Sequence, residues 1–422
     1  MNEKIILSRA LTTPRDGCGP LLQGSGENAF SLRQQVFEYV RAHGQAARAD
    51  ITTALGISPG SATTLTADLI TSGFLREFEG RARETGRGRP KVGLEVVPNA
   101  AYVIGIKLAF NRHTAVLADF AGKVIADASF PSGDTRRPMA QLLQETQNLV
   151  DRLLKESGIS PSDIKAMGIG MPGIIDHSTG TVAWSSLLEV RNEDLTAAFS
   201  ERFGMPLLLD NDANMLTLAE LWFGEGRAMS DFAVVTVESG VGMGLVLRNQ
   251  LYRGAHGMGL ELGHTKVQLD GALCQCGQRG CLEAYVADYA LIREAATALG
   301  HSFDTSKNPE DVLATLFERA KSGHTAAETI FRRAGKYLSL GLSNVVQLFD
   351  PELIILSGER MQNDYFYAEE VLDTMEKLTL NEGRQSCRVA VNAWDDLVWA
   401  RGASALALSS VTATLIDEMR AA

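Results

Sequence analysis

Three cysteines within eight residues, with a histidine ten positions upstream, constrain this chain more than any other feature. The stretch runs Gly263-His264, then Cys274-Gln275-Cys276-Gly277-Gln278-Arg279-Gly280-Cys281-Leu282-Glu283. Cys274, Cys276, Cys281 and His264 offer three thiolates and one imidazole. That closed Cys₃His set is the one a structural zinc takes, with no position left for a reacting water. Gly277 and Gly280 allow so short a loop to turn back, because glycine accepts positive φ without steric cost. The alternative is a set of redox-inert or transiently bridged thiols; ligand softness and number favour zinc. The chain has five cysteines, so Cys18 and Cys387 remain, and a reducing compartment is consistent with that.

A chain of 422 residues predicts two or three domains, and 45% apolar residues suffice for sizeable cores. No run of eighteen apolar residues occurs, so no membrane span is expected. The apolar patch Ile5–Leu7 is too short for a secretory segment, which predicts a cytoplasmic protein. The net charge of −11 is uneven: residues 1–98 carry +2 and the remainder −13. An acidic body repels nucleic acid, so any DNA contact falls to the first hundred residues.

Residues 1–29, with Gly19-Pro20 and Gly24-Ser25-Gly26, read as a flexible arm. Residues 30–98 read as a winged helix-turn-helix. Leu32, Val36 and Val40 mark one helix face, and a second helix covers about Arg48 to Leu55, broken by Gly56. Ser58-Pro59 gives an N-cap and a first-turn proline for a third helix, with Ala62, Leu65 and Leu69 inward. Its outward residues Ser61, Thr63 and Thr64 are candidates to reach base edges in a major groove. A strand-like Phe74-Leu75 and a returning strand at Val92–Val97 flank a basic, glycine-rich turn with Arg81, Arg83, Arg87, Arg89 and Lys91. Arg87 and Arg89 are the candidates for phosphate or minor-groove contact. The alternative is a small helical domain with a solvated arginine loop.

After Pro98, short apolar strands alternate with long helices. Strands are expected at Tyr102–Leu108, Thr114–Asp119, Val124–Phe130, Ile164–Ile169, Leu207–Leu209, Phe232–Val237, Met243–Leu247 and Leu353–Leu356. Helices are expected over about Met139–Ser157 and Ala327–Leu348. Such alternation defines an α/β fold with largely buried strands.

Glu261-Leu262-Gly263-His264 with the cysteine cluster and Cys281-Leu282-Glu283, Asn211-Asp212-Ala213-Asn214 and the Met171-Pro172-Gly173 turn resemble the ROK family of repressors, open reading frames and kinases. With its winged N-terminus, the chain is most similar to the family's transcriptional regulators. The resemblance implies an actin-like (ribonuclease H-like) two-lobed ATPase fold behind the helix-turn-helix. It places the first lobe at 99–220 plus about 395–422 and the second, with the zinc motif, at 221–394. It also implies a sugar site in the cleft between the lobes. There Asn211 and Asp212 would hydrogen-bond sugar hydroxyls, with Glu261, His264 and Glu283 completing the set. Asp212 matches the kinases' general base and would here be vestigial, an acceptor only. His264 would give one ring nitrogen to zinc and the other to a hydroxyl, so that the metal sets its tautomer.

A kinase of this family needs D-x-G-G-T after the first strand, for magnesium and phosphate. This chain has Gly105-Ile106-Lys107-Leu108-Ala109-Phe110-Asn111: Lys107 replaces the aspartate, and Ala109-Phe110 the glycines. The second phosphate loop is better preserved, as Ser239-Gly240-Val241-Gly242-Met243-Gly244 beside Glu238; the late glycines appear only as Ser357-Gly358-Glu359, so two of the three nucleotide elements are damaged. Without the metal ligand, phosphoryl transfer is not expected. Trp184-Ser185-Ser186-Leu187-Leu188-Glu189-Val190-Arg191 departs from the Asn-Leu-Pro…Trp loop that lines the family's sugar site, so Ser185, Ser186 and Glu189 are offered as other hydrogen-bonding groups. The expectation is a non-enzymatic transcriptional regulator, a repressor, of carbohydrate genes. It would be a homodimer or homotetramer reading an inverted-repeat operator and sensing a sugar or sugar phosphate, with no membrane partner. A sugar kinase with an appended DNA-binding domain is the alternative, and regulation by a protein partner stays open.

Overall fold

The structure is a computed structural model and describes residues 5–9, 17–21, 30–79, 92–133, 135–255, 257–300, 308–358, 369–380, 382–383 and 386–421. Arg81, Arg83, Arg87, Arg89 and Lys91 of the basic turn, and Glu359, lie outside these residues. The chain divides into two compact units. One, the head unit, comprises Thr12–Ser230 with Asp396–Ala422; the other, the cysteine unit, comprises Met1–Leu11 with Asp231–Asp395.

A short strand, β1 (Ile5–Arg9), comes first. Helix α1 (Leu32–His43) begins at Ser31, whose hydroxyl accepts the Gln34 N–H at 3.3 Å. Strand β2 (Gln45–Ala47) leads into α2 (Arg48–Leu55), which ends at Gly56 in the left-handed region. Helix α3 (Pro59–Thr71) is capped by the Ser58 hydroxyl with proline at its first position. Val36, Phe37, Val40, Ile51, Leu55, Ala62 and Leu69 are buried, so most of the inward faces expected from helical spacing meet in one small core; Leu65 is half-buried, and Leu32, expected inward, is exposed at the first position of α1. Strands β3 (Leu75–Glu79) and β4 (Val92–Val96) pair antiparallel, and β2 adds to β4. Three helices and this three-stranded sheet make a winged helix-turn-helix arrangement.

The rest of the head unit is built on a five-stranded sheet. It contains β5 (Tyr102–Lys107), β6 (Arg112–Asp119) and β7 (Val124–Pro131), then helix α4 (Met139–Ser157) and β8 (Ile164–Met171). A small antiparallel sheet of β9 (Ile174–Asp176), β10 (Thr181–Trp184) and β11 (Glu193–Asp194) follows, then α5 (Leu195–Phe203). Strand β12 (Leu207–Asn211) runs directly into α6 (Asp212–Phe223). The sheet order is β12-β8-β5-β6-β7, with β8 parallel to β5 and β12, and β5-β6-β7 an antiparallel meander.

In the cysteine unit, β13 (Phe232–Val237), β14 (Val241–Leu247) and β15 (Gln250–Tyr252) form a meander. After the cysteine loop come helices α7 (Glu283–Val286), α8 (Asp288–Leu299), α9 (Pro309–Lys321) and α10 (Thr325–Phe349). Strand β16 (Leu353–Ser357), helix α11 (Glu369–Leu378) and strand β17 (Arg388–Ala393) complete it. Its sheet order is β1-β17-β16-β13-β14-β15. Within the span expected to be a flexible arm, residues 1–29, the described residues Ile5–Arg9 and 17–21 are held instead. Ile5–Arg9 pair in parallel with Val389–Ala393, and Gly17–Leu21 is also held, by backbone hydrogen bonds to Arg41, Trp222 and Arg227. Pairing satisfies backbone groups of the β17 edge, which alternation of side chains could not reveal.

Helix α12 (Val398–Ala421) returns to the head unit and lies flat on its sheet. The contact is backbone to backbone. A Cβ on Gly168 would stand 2.0 Å from the Ala403 carbonyl oxygen, and one on Gly402 1.8 Å from that of Met215 in α6. Helices α6 and α12 therefore pack as one block, and α6 is buried from Asn214 to Trp222. For that reason the expected lobe boundary at 220/221, which cuts α6, is displaced to Ser230/Asp231.

Overpacking against backbone that cannot yield should cost about 2–3 kcal/mol. Gly168→Ala is expected to lower the unfolding free energy by that amount, read from urea titration. Gly60→Ala, whose nearest neighbour would be a side-chain oxygen 3.7 Å away, should stay within about 0.5 kcal/mol of the parent.

Candidate metal, ligand and DNA-binding sites

The four expected metal ligands converge. One donor atom from each of His264, Cys274, Cys276 and Cys281 lies within 4.8 Å of every other. Cys276 Sγ stands 3.7 Å from Cys281 Sγ, and His264 Nδ1 stands 3.7 Å from Cys274 Sγ. A tetrahedral ion with metal–sulfur bonds of about 2.3 Å spans an S···S edge of about 3.8 Å, so the set fits a metal ion. Gly277 and Gly280 do have positive φ, 86° and 77°, and a Cβ on Gly280 would overlap the Gln268 carbonyl. Lys266 donates to Cys281 Sγ at 3.1 Å and to the His264 carbonyl at 2.9 Å, placing a cation beside the thiolates. Burial pushes the Cys274 thiol up to about 12, so its thiolate form requires a compensating cation.

Glu283 is joined to this cluster. It is 8% exposed; one carboxylate oxygen accepts the Val241 N–H at 3.3 Å, and the other lies 3.5 Å from Cys274 Sγ and 3.4 Å from the Tyr289 hydroxyl. Glu261 is exposed and heads the short 3₁₀ turn Leu262–His264, its carbonyl accepting the His264 N–H at 3.0 Å.

Asn211 and Asp212 form the N-terminal end of α6. The Asn211 side chain accepts the Asn214 N–H at 2.8 Å, an N-cap that also holds its own amide in place. Sequence reading missed the group beneath. Buried Asp210 accepts from the Asn211 N–H at 2.8 Å and from the Asn214 amide at 2.7 Å, and His177 lies 3.7 Å from its other oxygen. Only the sequence adjacency of Asp210 to the Asn-Asp pair hinted at this. Asp212 is half-buried. Burial pushes its carboxyl above the usual range, while Lys107 and the Ala213 N–H pull it down.

Lys107 ends β5 and holds the place expected of a magnesium ligand. Its ammonium lies 3.3 Å from Asp396 Oδ1 and 3.4 Å from the centre of the Trp399 ring. Phe110 turns into the sheet's core and packs there. His113 anchors this loop. Its Nδ1 accepts the Ala109 N–H at 3.1 Å, and its Nε2 lies 2.9 Å from Glu145. Arg137 closes the buried triad with Glu145 at 2.7 Å, and its backbone pairs with Leu187 and Glu189. Ser185 is spent within its own loop: its hydroxyl donates to the Pro172 carbonyl at 2.6 Å and accepts from Leu187 N–H, so it is not the free ligand group expected.

On the head, Ser61, Thr63 and Thr64 all lie exposed on α3. Thr63 donates to the Pro59 carbonyl and Ser61 pairs with Ser58, which fixes their rotamers and leaves methyl and acceptor groups outward. Arg87 and Arg89 lie outside the described residues.

Residues 103–410 match the ROK family, and the chain belongs to it. A xylose repressor from Caldicellulosiruptor bescii is 27% identical over 371 residues, which is 86% of this chain and 92% of that one. The fold is that of a ROK family transcriptional regulator described as a homologue of the E. coli MLC protein: TM-score 0.76 and 22% identity, over 92% of this chain and 98% of that one. A ROK hexokinase from Thermus thermophilus is 27% identical with a TM-score of 0.62, over 75% of this chain and 99% of the kinase. No helix among the described residues is long and apolar enough to cross a membrane.

The triad makes a pH prediction. Burial lowers the His113 pKa, against the opposing pull of Glu145. The Glu145 carboxyl is pushed up by burial but brought below its usual range by hydrogen bonds from His113, Arg137 and Gln141. Both depressed values mean that the unfolded chain binds protons first as pH falls. Stability present above the ordinary histidine pKa of about 6.5 is then lost on acidification. In thermal melts, the gap between the parent and His113→Gln should be widest near neutral pH and narrow below about 6.5. A gap that widens on acidification contradicts the assignment.

Proposed function

We propose that this chain is a DNA-binding transcriptional regulator of carbohydrate genes, a repressor by kind, that senses a sugar or sugar derivative and performs no phosphoryl transfer. The observation that carries the reading is one of combination. The same compact unit holds a helix-turn-helix with an exposed polar α3 face and a ligand end at Asn211–Asp212 whose metal position is taken by an ammonium. Lysine cannot coordinate magnesium, and neutralising developing phosphate charge is central to phosphoryl transfer. Asp212 then works as a fixed acceptor for a sugar hydroxyl, supported by Asn211, with Glu261, His264 and Glu283 as the other polar groups of the site. Ser61, Thr63 and Thr64 read base edges, and Arg87 and Arg89 hold phosphates or the minor groove.

The metal of the cysteine loop is zinc in this reading, held by His264, Cys274, Cys276 and Cys281. When bound, it would supply structural cross-linking and a fixed imidazole orientation. The protein's own groups do the rest: Lys266 balances thiolate charge and Glu283 ties the loop to the β14 start. A homodimer or homotetramer in the cytoplasm would present two heads to an inverted repeat, with half-sites about 34–36 Å apart or a multiple of that.

Elemental analysis should find about one zinc per chain. Cys276→Ala should lose the metal and, with it, the response to sugar. The response itself is read by gel shift with duplexes enriched from a random pool by the full-length protein. Binding should change by about 5- to 150-fold when a pentose such as D-xylose, a hexose or an N-acetylhexosamine that raises the melting temperature is added. Failure to enrich any duplex would remove the regulator reading. Sugar-dependent ADP release by the parent protein would establish the kinase reading in its place.

A further inference from the structure

We propose that α6 is a rigid strut carrying ligand occupancy from the Asn211–Asp212 end to the DNA-binding head, with Arg41, Trp222 and Arg227 as its positioning residues at the far end. This rests on the ligand reading above. The twelve residues of α6 span about 18 Å. One end carries Asn211 and Asp212; the other ends at Trp222-Phe223, against the last turn of α1.

The head is locked to this end. The guanidinium of Arg41, whose side chain is 0% exposed, lies 4.6 Å from the centre of the Trp222 ring and donates to Thr412 of α12 at 2.8 Å. It also pairs with Glu38 and lies 5.3 Å from the centre of the Phe37 ring. Arg227, just beyond α6, donates to the Gly19 carbonyl at 2.9 Å and to the carbonyl of Ala42. Gly19 in turn donates to the Trp222 carbonyl, and Cys18 to that of Arg41. Phe120, at the end of β6, fills the space between Phe37 and Phe74 with ring centroids at 4.8 and 5.9 Å.

Two buried guanidinium groups in one junction are costly unless every partner is in register. Such a junction does not absorb a displacement by sliding; it holds or it re-forms. Because α6 packs on α12 through backbone at Gly402, and α12 carries Thr412, both helices deliver the same displacement to Arg41. From α1 it reaches the α3 face through the Arg33–Asp68 pair at 2.8 Å.

Linkage is reciprocal: what the ligand does to the head, DNA must do to the ligand end. The test therefore needs no identified sugar. Hydrogen exchange of the full-length chain is followed across residues 211–223, with and without an enriched duplex. In the parent, duplex binding should change exchange at the Asn211–Asn214 end by about threefold or more. Arg41→Gln should keep duplex affinity within about threefold yet lose that remote change, and Arg41→Lys should restore part of it. If Arg41→Gln does not fold, Thr412→Val, which removes a single acceptor, must diminish the change. The proposal is overturned if the parent binds duplex with no change at 211–214, or if the folded variants transmit it undiminished. Those outcomes differ from failure of the regulator reading, in which no duplex is enriched at all and the coupling falls with it.

Discussion

The head unit depends on one contact, the seating of α12 directly on sheet backbone. At Gly168 and Gly402 there is no room for even a methyl group, so carbonyls and Cα atoms meet without side chains between them. Contacts of that kind have few alternative arrangements, because a close-packed interior cannot deform by small amounts. Three consequences follow from the geometry. The start of α12 brings Asp396 and Trp399 to Lys107; its middle braces α6; its later turns give Thr412 to Arg41. One helix thus fixes the altered metal position, the ligand end and the attachment of the head.

The cysteine loop solves a different problem. Residues from Glu261 to Glu283 contain little regular structure, only a 3₁₀ turn and isolated bridges such as Lys266 with Cys281 and Leu273 with Arg279. A segment so poor in ladder hydrogen bonds cannot order a polar site by backbone pairing alone. The four donors converge there with Glu283 beside Cys274, and the Tyr285–Tyr337 stack with ring centroids at 4.0 Å ties the loop's end to α10. Burial of Cys274 and Cys281 beside exposed Cys276 gives the cluster one sealed and one open side.

Local chemistry was legible in the sequence to the extent that its causes are local. The four metal donors, the Ser58-Pro59 helix start, most of the inward faces of α1 to α3 (Leu32 excepted), and the spans of α4 and β16 follow from spacing and capping, and the structure has them. The actin-like fold came from resemblance, and the fold matches those of ROK family structures. What could not be read is long-range. Glu145 reaches His113 across 32 residues, Arg41 meets Thr412 across 371, and β1 pairs Ile5 with Val389 at the far end of the chain. Ser185 illustrates the limit from the other side: a serine in a plausible loop looks available until its hydroxyl is found closing the loop itself. The N-terminal arm misled for the same reason, since an edge strand takes its order from the strand it joins.

The exchange of a phosphate loop for Lys107, Ala109 and Phe110 alters how binding energy can be used. In an enzyme, contacts to the substrate accelerate reaction only where they strengthen in the transition state. Here the groups that would act on a phosphoryl group are replaced by an ammonium held between Asp396 and Trp399 and a phenyl ring turned into the core. In the proposed regulator, ligand contacts at Asn211 and Asp212 would have no reaction to drive. They can still bias one conformation over another, by as much as the ligand's affinity differs between the two. A helix end that caps itself through Asn211, is braced below by Asp210 and ends on a buried guanidinium is suited to that use. In the proposed coupling, a body braced in this way would act on the head as a unit.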